Sequence, residues 1–417
     1  MVTPAPLLCV AGSMNLTTGQ PFWLAEHGLA RYPQLAATIS CDIVVVGGGI
    51  TGAFLGYYLT QAGLDAVVLE ARYFGSGSTS ASTAMCQYEL DEDLTDLRDK
   101  VGIQRANDGY LGNLYAVHAL ARLCQHELPN ACGFSYCQSF YLASRAADVP
   151  HLRAEGDARR GIGIETTFLE EAELLHRFQL KAPAGLLSND TAQVNPYRLT
   201  HTLLQEACKK GLRAYERTPA QRYTAHPDGL SLQAGDKGQH QINAKHLVVC
   251  TGYAAAELVP QDIVNLHSTY VVLSQPGQAA ALPTGTAQIW ETARPYLYTR
   301  TTPDGRIMVG GRDEVVKMPA FRSAVIEHKA DRLMDQFQEK FACDTPFTRD
   351  FIWGGVYGET ADGLPYIGPH PDFPRAHFAL GYGGNGTTYS LLAAEIIRDA
   401  LTGREHRYAH AFGFDRK

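Results

Sequence analysis

The sequence predicts a mixed α/β fold, and three observations carry that expectation. A β-branched run, Asp42-Ile-Val-Val-Val46, leads straight into a glycine turn and then a helix-like stretch. Ala66-Val67-Val68-Leu69 reads as a second buried strand soon after. Farther along, Tyr270-Val271-Val272-Leu273, Tyr296-Leu297-Tyr298-Thr299 and Arg306 to Val309 are short β-rich stretches set apart by Pro and Gly, as in an antiparallel sheet.

The 417 residues are 45% hydrophobic and 19% charged, which excludes the disordered classes and supplies core for two or three domains. A net charge of -7 without a basic cluster argues against nucleic acid or an anionic membrane surface as partner. No apolar stretch reaches the roughly 18 residues of a membrane span. Met1 to Ala30 contains no Lys or Arg, and Leu7 to Val10 is too short for a secretory leader, so a cytoplasmic location is expected. The 9 cysteines form no C-x-x-C pair, and neither a disulfide framework nor a metal site is expected. Cys132 and Cys137 are the nearest pair, with buried thiols the favoured reading. Glycine, at 40 residues, is in excess and marks places where the backbone needs freedom.

The first such place is Gly47-Gly48-Gly49-Ile50-Thr51-Gly52. Between two strands and opening a helix that stops at Ala62-Gly63, it forms a Rossmann-like βαβ unit of roughly 30 residues. Gly47 permits the tight turn, Gly49 lets the backbone approach a pyrophosphate, and Gly52 lets helix and strand pack closely. Glu70, ending the second strand, accepts from ribose hydroxyls and disfavours a 2′-phosphate, which points to the ADP of FAD or NAD. A second match, Gly381-Tyr382-Gly383-Gly384-Asn385-Gly386, precedes a helical run to Thr402. No second strand or ribose-binding acid follows it. One loop and one helix remain, whose N–H groups could stabilise charge on a reduced flavin; a turn needed only for packing is the alternative.

Asn195 is a sound N-cap with Pro196 first in its helix, Lys209-Lys210-Gly211 closes that helix, and His246 to Cys250 reads as another buried strand. Ile103, Ala106, Tyr110, Leu114, Val117, Leu120 and Cys124 lie at helical spacing and predict a long amphipathic helix.

Taken in order, these segments resemble the D-amino-acid-oxidase-like superfamily of FAD-dependent oxidoreductases, the group of glycine, sarcosine and gamma-glutamylputrescine oxidases. Further matching segments are Glu70-Ala71-Arg72 to Ser80, Gln193-Val194-Asn195-Pro196, His246 to Gly252, Asp304 to Gly311, and Trp353-Gly354-Gly355 through Asp362 to Gly368. The resemblance implies a Rossmann-like FAD-binding domain (40–95, 188–262, 353–417) interleaved with an antiparallel-sheet substrate domain (96–187, 263–352) after an arm, 1–39. It implies that FAD is bound by Gly47, Gly49, Ile50, Thr51, Gly52, Glu70, Ala71 and Arg72. The hydroxyls of Ser76, Ser78, Thr79 and Ser80 would line the path toward the ring, with Ala220 at the adenine and Thr251 and Gly252 at the nucleotide. Gly381, Gly384, Asn385, Gly386 and Thr387 would meet the flavin.

Relatives that attach flavin covalently use a histidine after the serine-rich loop or a cysteine late in the chain. Here the stretch Gly77-Ser78-Thr79-Ser80-Ala81-Ser82 holds no histidine and Tyr357 stands at the cysteine's position, so non-covalent FAD is expected. Tyr357 also stands where amino-acid-oxidising relatives carry a carboxylate-binding arginine, which favours an amine over an α-amino acid unless Arg300 or Arg312 replaces it. Tyr270, Tyr298 and Tyr357 are the expected aromatic wall, His267 a pocket candidate, and Lys317 either an oxygen-activating lysine or a solvated one. The expected function is oxidation of the C–N bond of a small, gamma-glutamylputrescine-like amine, with oxygen or another electron acceptor. Glycine, sarcosine or D-amino acids as substrates, and a flavin-binding protein without turnover, stay open as alternatives.

Overall fold

The computed structural model describes residues 16–26, 29–130, 132–253, 259, 263–315, 319–342, 344 and 346–416. Three sheets organise them. The first has five parallel strands in the order Ala376–Leu380, His246–Val249, Ile43–Val46, Ala66–Leu69 and Arg213–Tyr215, with Tyr366–Pro369 added antiparallel at one edge. Ile43 and Val45 enter one apolar cluster and Val44 and Val46 another, so this strand is covered on both faces. That explains its continuous β-branched sequence, each buried Val contributing about 1.5–3 kcal/mol.

Helix Ile50–Gln61 leaves the end of this central strand, and Gly52 shows why no other residue fits: a Cβ there would lie 1.9 Å from the Gly47 carbonyl oxygen. Helix Pro196–Lys209 starts as expected, the Arg198 N–H donating to Asn195 Oδ1 at 2.9 Å. The last glycine loop opens helix Gly386–Leu401.

The largest sheet has ten strands. Thr17–Gly19, Arg349–Thr360, Val264–Ser274, Ile307–Val315 and Tyr298–Thr301 form one half; Gln288–Glu291, Ser135–Leu142, Ala184–Gln193 and Met85–Cys86 continue it, and Thr167–Glu170 pairs with Ala184–Gln193. All its junctions are antiparallel except Gln288–Glu291 with Ser135–Leu142, which is parallel. Strand Arg349–Thr360 runs across position 353 and lies wholly in this sheet. The arm is built in too, with Thr18 opposite Gly354 and the Trp23 Nε1–H donating to the Ser82 carbonyl at 2.7 Å.

A small third sheet, Ala220–His226, Gly229–Ala234 and His240–Ala244 with Ile39–Ser40 at its edge, has no counterpart in the sequence reading. The long helix runs Ile103–Arg122 and ends in a wide turn, Leu123–Glu127. Among the described residues no helix is long and apolar enough to cross a membrane. Cys132 and Cys137 are both buried free thiols.

Candidate active site

One cavity of about 680 Å³ is lined both by the glycine turn of the parallel sheet and by the open face of the large sheet. Its size is that of a cofactor or ligand site. At the parallel-sheet end it meets Gly47, Gly49, Ile50 and Thr51, then Glu70, Ala71 and Arg72. The Glu70 carboxylate accepts the Gly48 N–H at 2.8 Å and the Arg72 N–H at 2.7 Å, and each oxygen keeps a lone pair for a further donor. Thr79 Oγ1, from the short helix Ser78–Ala81, accepts the Ile50 N–H at 3.0 Å and satisfies a free amide at the start of helix Ile50–Gln61.

Ser78 and Thr79 also line the cavity, whereas Ser76 and Ser80 do not. The hydroxyl of Ser76 donates to the Tyr73 carbonyl across a turn, and that of Ser80, in the short helix Ser78–Ala81, donates back to the Gly77 carbonyl. Gly52 packs against Gly47 rather than facing the cavity. Ala220, Thr251 and Gly252 are in the wall, as are Gly381, Gly384, Asn385, Gly386 and Thr387. The final loop is fastened to the segment after Met85–Cys86. The Gly384 N–H donates to Asp91 Oδ2 at 2.8 Å, and Asn385 Nδ2 donates to the carbonyls of Gln87 and Glu89.

At the other end Tyr298 and Tyr357 line the cavity. The Tyr357 hydroxyl donates to Asp313 Oδ2 at 2.9 Å, and Tyr298 shares a 3.0 Å hydrogen bond with Thr269. Tyr270 lies elsewhere: side chains alternate along Val264–Ser274, so Thr269 faces the cavity while Tyr270 is buried toward helix Pro319–Glu339, its hydroxyl 2.6 Å from Glu314. His267 stands behind the wall, stacked on Tyr357 with ring centroids 5.5 Å apart and Nε2 3.7 Å from Glu359. Lys317 lies outside the described residues.

Neither arginine supplies a carboxylate clamp. Arg300 is 1% exposed, and its Nη1 donates to the carbonyls of Thr83, Ala84 and Val194 at 2.7, 2.8 and 3.1 Å. Arg312 is absent from the cavity wall, its neighbour Asp313 taking that face of the strand.

Three polar groups of the cavity wall were not singled out from the sequence. Asp91, Asp313 and Tyr296 all line the cavity, and the Tyr296 hydroxyl donates to Asp91 Oδ1 at 2.6 Å. The signals were present. Asp313 is an acid inside a β-rich stretch, two residues beyond a quoted motif, and Asp91 belongs to an acidic run whose members Glu89 and Asp93 are buried instead of solvated. Burial pushes the Asp313 carboxyl up to about 6, Asp91 and Glu359 adding to the shift while the nearby hydroxyls of Thr269 and Tyr357 pull it back. Burial also raises Tyr357, with Asp313 reinforcing it.

A family model described as FAD dependent oxidoreductase matches residues 42–400. The chain belongs to that family. Glycine oxidase of Bacillus subtilis (strain 168) is 24% identical over 392 residues, covering 90% of this chain and 97% of its own. Gamma-glutamylputrescine oxidoreductase of Escherichia coli (strain K12) is 22% identical over 408 residues, covering 95% and 91%. The crystal structure of glycine oxidase from Geobacillus kaustophilus shares the fold with a TM-score of 0.71 at 21% identity, over 91% of this chain and 99% of that one.

As an FAD-dependent oxidoreductase the protein is an enzyme with FAD as its cofactor, and the cavity fits that group. The turn that borders it needs glycine, since a Cβ at Gly47 would meet the Cys250 carbonyl oxygen, and the backbone of Gly47 and Gly49 itself lines the cavity. Thr251 Oγ1, buried in the wall, has no hydrogen-bond partner among the described residues and is placed to serve a bound nucleotide.

Proposed function

We infer that the enzyme oxidises the C–N bond of a small, gamma-glutamylputrescine-like amine, with FAD held non-covalently. One observation carries this reading. Among the described residues lining the cavity, the carboxylates are Glu70, Glu89, Asp91 and Asp313, and the one cationic side chain, Arg72, sits beside Glu70 at the nucleotide end. A substrate carboxylate would find no guanidinium where chemistry occurs, and an ammonium would find Asp91 and Asp313.

Bound flavin supplies the acceptor for the hydrogen and electron pair of the C–H bond. Around it the chain orients and desolvates the amine. Tyr296, Tyr298 and Tyr357 make an aromatic wall that excludes water, and their hydroxyls are tied to Asp91, Thr269 and Asp313, which fixes their rings. The oxidised product is an imine that water hydrolyses. Tyr357 in the late strand and Ala81-Ser82 after the serine-rich loop offer neither the thiol nor the imidazole of a covalent flavin link.

Anaerobic mixing of the FAD-loaded enzyme with gamma-glutamylputrescine, n-butylamine, glycine, sarcosine and D-alanine tests the reading. Bleaching of the flavin by the amines at lower concentration than by the amino acids is expected, and admitting oxygen with peroxide detection then identifies the electron acceptor. Faster bleaching by glycine or D-alanine removes the amine reading. Failure of every compound would place the substrate outside these amines and amino acids.

A further inference from the structure

An amine reaches the site as an ammonium ion, yet only the neutral amine has the lone pair that must form the new C=N bond as the C–H bond is broken. Some group has to take that proton, and the cavity narrows the choice. Asp91 already accepts one donor on each oxygen, the Tyr296 hydroxyl and the Gly384 N–H, so it can help bind an ammonium but has no oxygen left without a partner. Glu89 too leaves one buried oxygen, Oε2, without a hydrogen-bond partner among the described residues, but its other oxygen faces the buried guanidinium of Arg159, 3.8 Å away, which already answers its charge. The phenols of Tyr296 and Tyr298 are raised by burial and cannot act as bases near neutrality.

Asp313 differs from all of these. Its Oδ2 is held by Tyr357, while its Oδ1, buried beside the Thr269 hydroxyl, makes no direct hydrogen bond among the described residues, and a small turn of the side chain, which lines the cavity, would present it to a ligand. A buried carboxylate oxygen left unpaired is costly unless a ligand completes it. We propose that Asp313 receives the substrate's ammonium group on Oδ1 and takes its proton, with Tyr357 as the positioning residue.

The step is R–CH2–NH3+ plus Asp313 carboxylate giving R–CH2–NH2 plus Asp313 carboxylic acid. One N–H bond breaks, one O–H bond forms, and no electrons change oxidation level. The inference rests on the amine reading above but can be tested apart from it, because glycine carries an ammonium needing the same deprotonation.

The charges around Asp313 suit this role. Around it are Tyr357 and Glu359 from the late strand, with His267 behind Tyr357, Thr269 from the strand beside it, Tyr298 from the next and Tyr296 just before that strand, and Asp91 from the loop. On its own strand, Arg312 turns away from the cavity, and Glu314 is bound to Lys329 and Tyr270 on the opposite face. Burial among carboxylates brings its acid to about 6, the range in which a general base works best at neutral pH.

The test is the pH dependence of anaerobic flavin reduction in the FAD-loaded enzyme, with gamma-glutamylputrescine, n-butylamine and glycine as probes. Wild-type reduction should fall off on the acid side near pH 6. In Asp313→Asn the rate at pH 7 should drop roughly 10²- to 10⁴-fold, the loss shrinking as the pH approaches the probe's own pKa. Asp313→Glu should recover part of the rate. Tyr357→Phe should move the acid limb to higher pH, because the carboxylate loses a hydrogen bond that favours its charged form. The second readout is n-butylammonium binding, followed by its perturbation of the flavin spectrum, which should be weaker in Asp313→Asn.

A wild-type pH profile in Asp313→Asn, or a loss equal at every pH, overturns the role of Asp313. So does equal n-butylammonium binding by the two proteins, or binding by neither. Reduction of the wild-type flavin by glycine alone would discard the amine reading, and the glycine pH profile would then decide Asp313 by the same criteria.

Discussion

The two ends of the cavity are built from different material. At the nucleotide end the working groups are main-chain atoms: the turn at Gly47 to Gly49, the Gly48 and Arg72 amides gathered on Glu70, and the Ile50 amide capped by Thr79. At the other end, where we place the substrate, they are side chains, Asp91, Tyr296, Tyr298, Asp313 and Tyr357, brought by separate strands and loops, with Tyr296 bonded to Asp91, Tyr357 to Asp313 and Tyr298 to Thr269. Backbone geometry tolerates almost no substitution but dictates only that a dinucleotide binds. Side chains can be exchanged without moving the fold, and they set what is oxidised.

The two ends should therefore fail differently. The largest effect is expected from Gly52→Val, whose Cβ would lie 1.9 Å from the Gly47 carbonyl oxygen. A loss of about 3 kcal/mol or more is expected, seen as a lowered melting temperature and less flavin per chain after purification. Retention of full flavin content would break the comparison.

Acid should separate the halves next. Burial pushes His201 and His377, both in the nucleotide half, down to about 4 from 6.5. They stay neutral in the folded chain but gain protons in the unfolded chain below about 6.5, so stability is full above that pH and falls toward pH 4, by about 3 kcal/mol each. Asp313 has the opposite sign, since its folded form keeps a proton up to about 6 against 3.8 unfolded and its contribution grows as pH falls. Denaturant titrations at pH 7 and pH 5 should show a net loss that His377→Gln reduces and Asp313→Asn does not.

At the substrate end a Cβ on Gly310 would lie 2.3 Å from the Tyr298 ring. Gly310→Ala should displace that ring and slow flavin reduction by roughly 10²-fold while FAD affinity is unchanged. Glu70→Gln is the converse and smaller. It puts an amide where two N–H groups converge, costing about 1.5–3 kcal/mol, or roughly 10- to 100-fold in the FAD dissociation constant. Titration of apoprotein with FAD measures it, and the order of preference among amines should not change.

How much of this could be read from the chain follows the same division. The strand Asp42 to Val46, its turn, its helix and Glu70 were legible because a mononucleotide site is local: its residue types, spacing and backbone demands fall within one short stretch. The N-cap at Asn195 was legible for the same reason. Tyr270 was misplaced because alternation along a strand says that neighbours face opposite ways but not which face is the cavity, and the pairing of the large sheet gave that face to Thr269. Arg300 stood in the sequence as a replacement for the missing carboxylate-binding arginine, and its Nη1 is instead bonded to three carbonyls from distant segments. Asp91 and Asp313 lie far apart in the sequence and meet only because the loop after Met85–Cys86 and the strand Ile307–Val315 border the same cavity. By itself the sequence determined a dinucleotide-binding turn and the family it belongs to. The tertiary structure alone decided the acidic substrate end, since the field a ligand meets is summed over groups whose separation along the chain bears no relation to their distance in space.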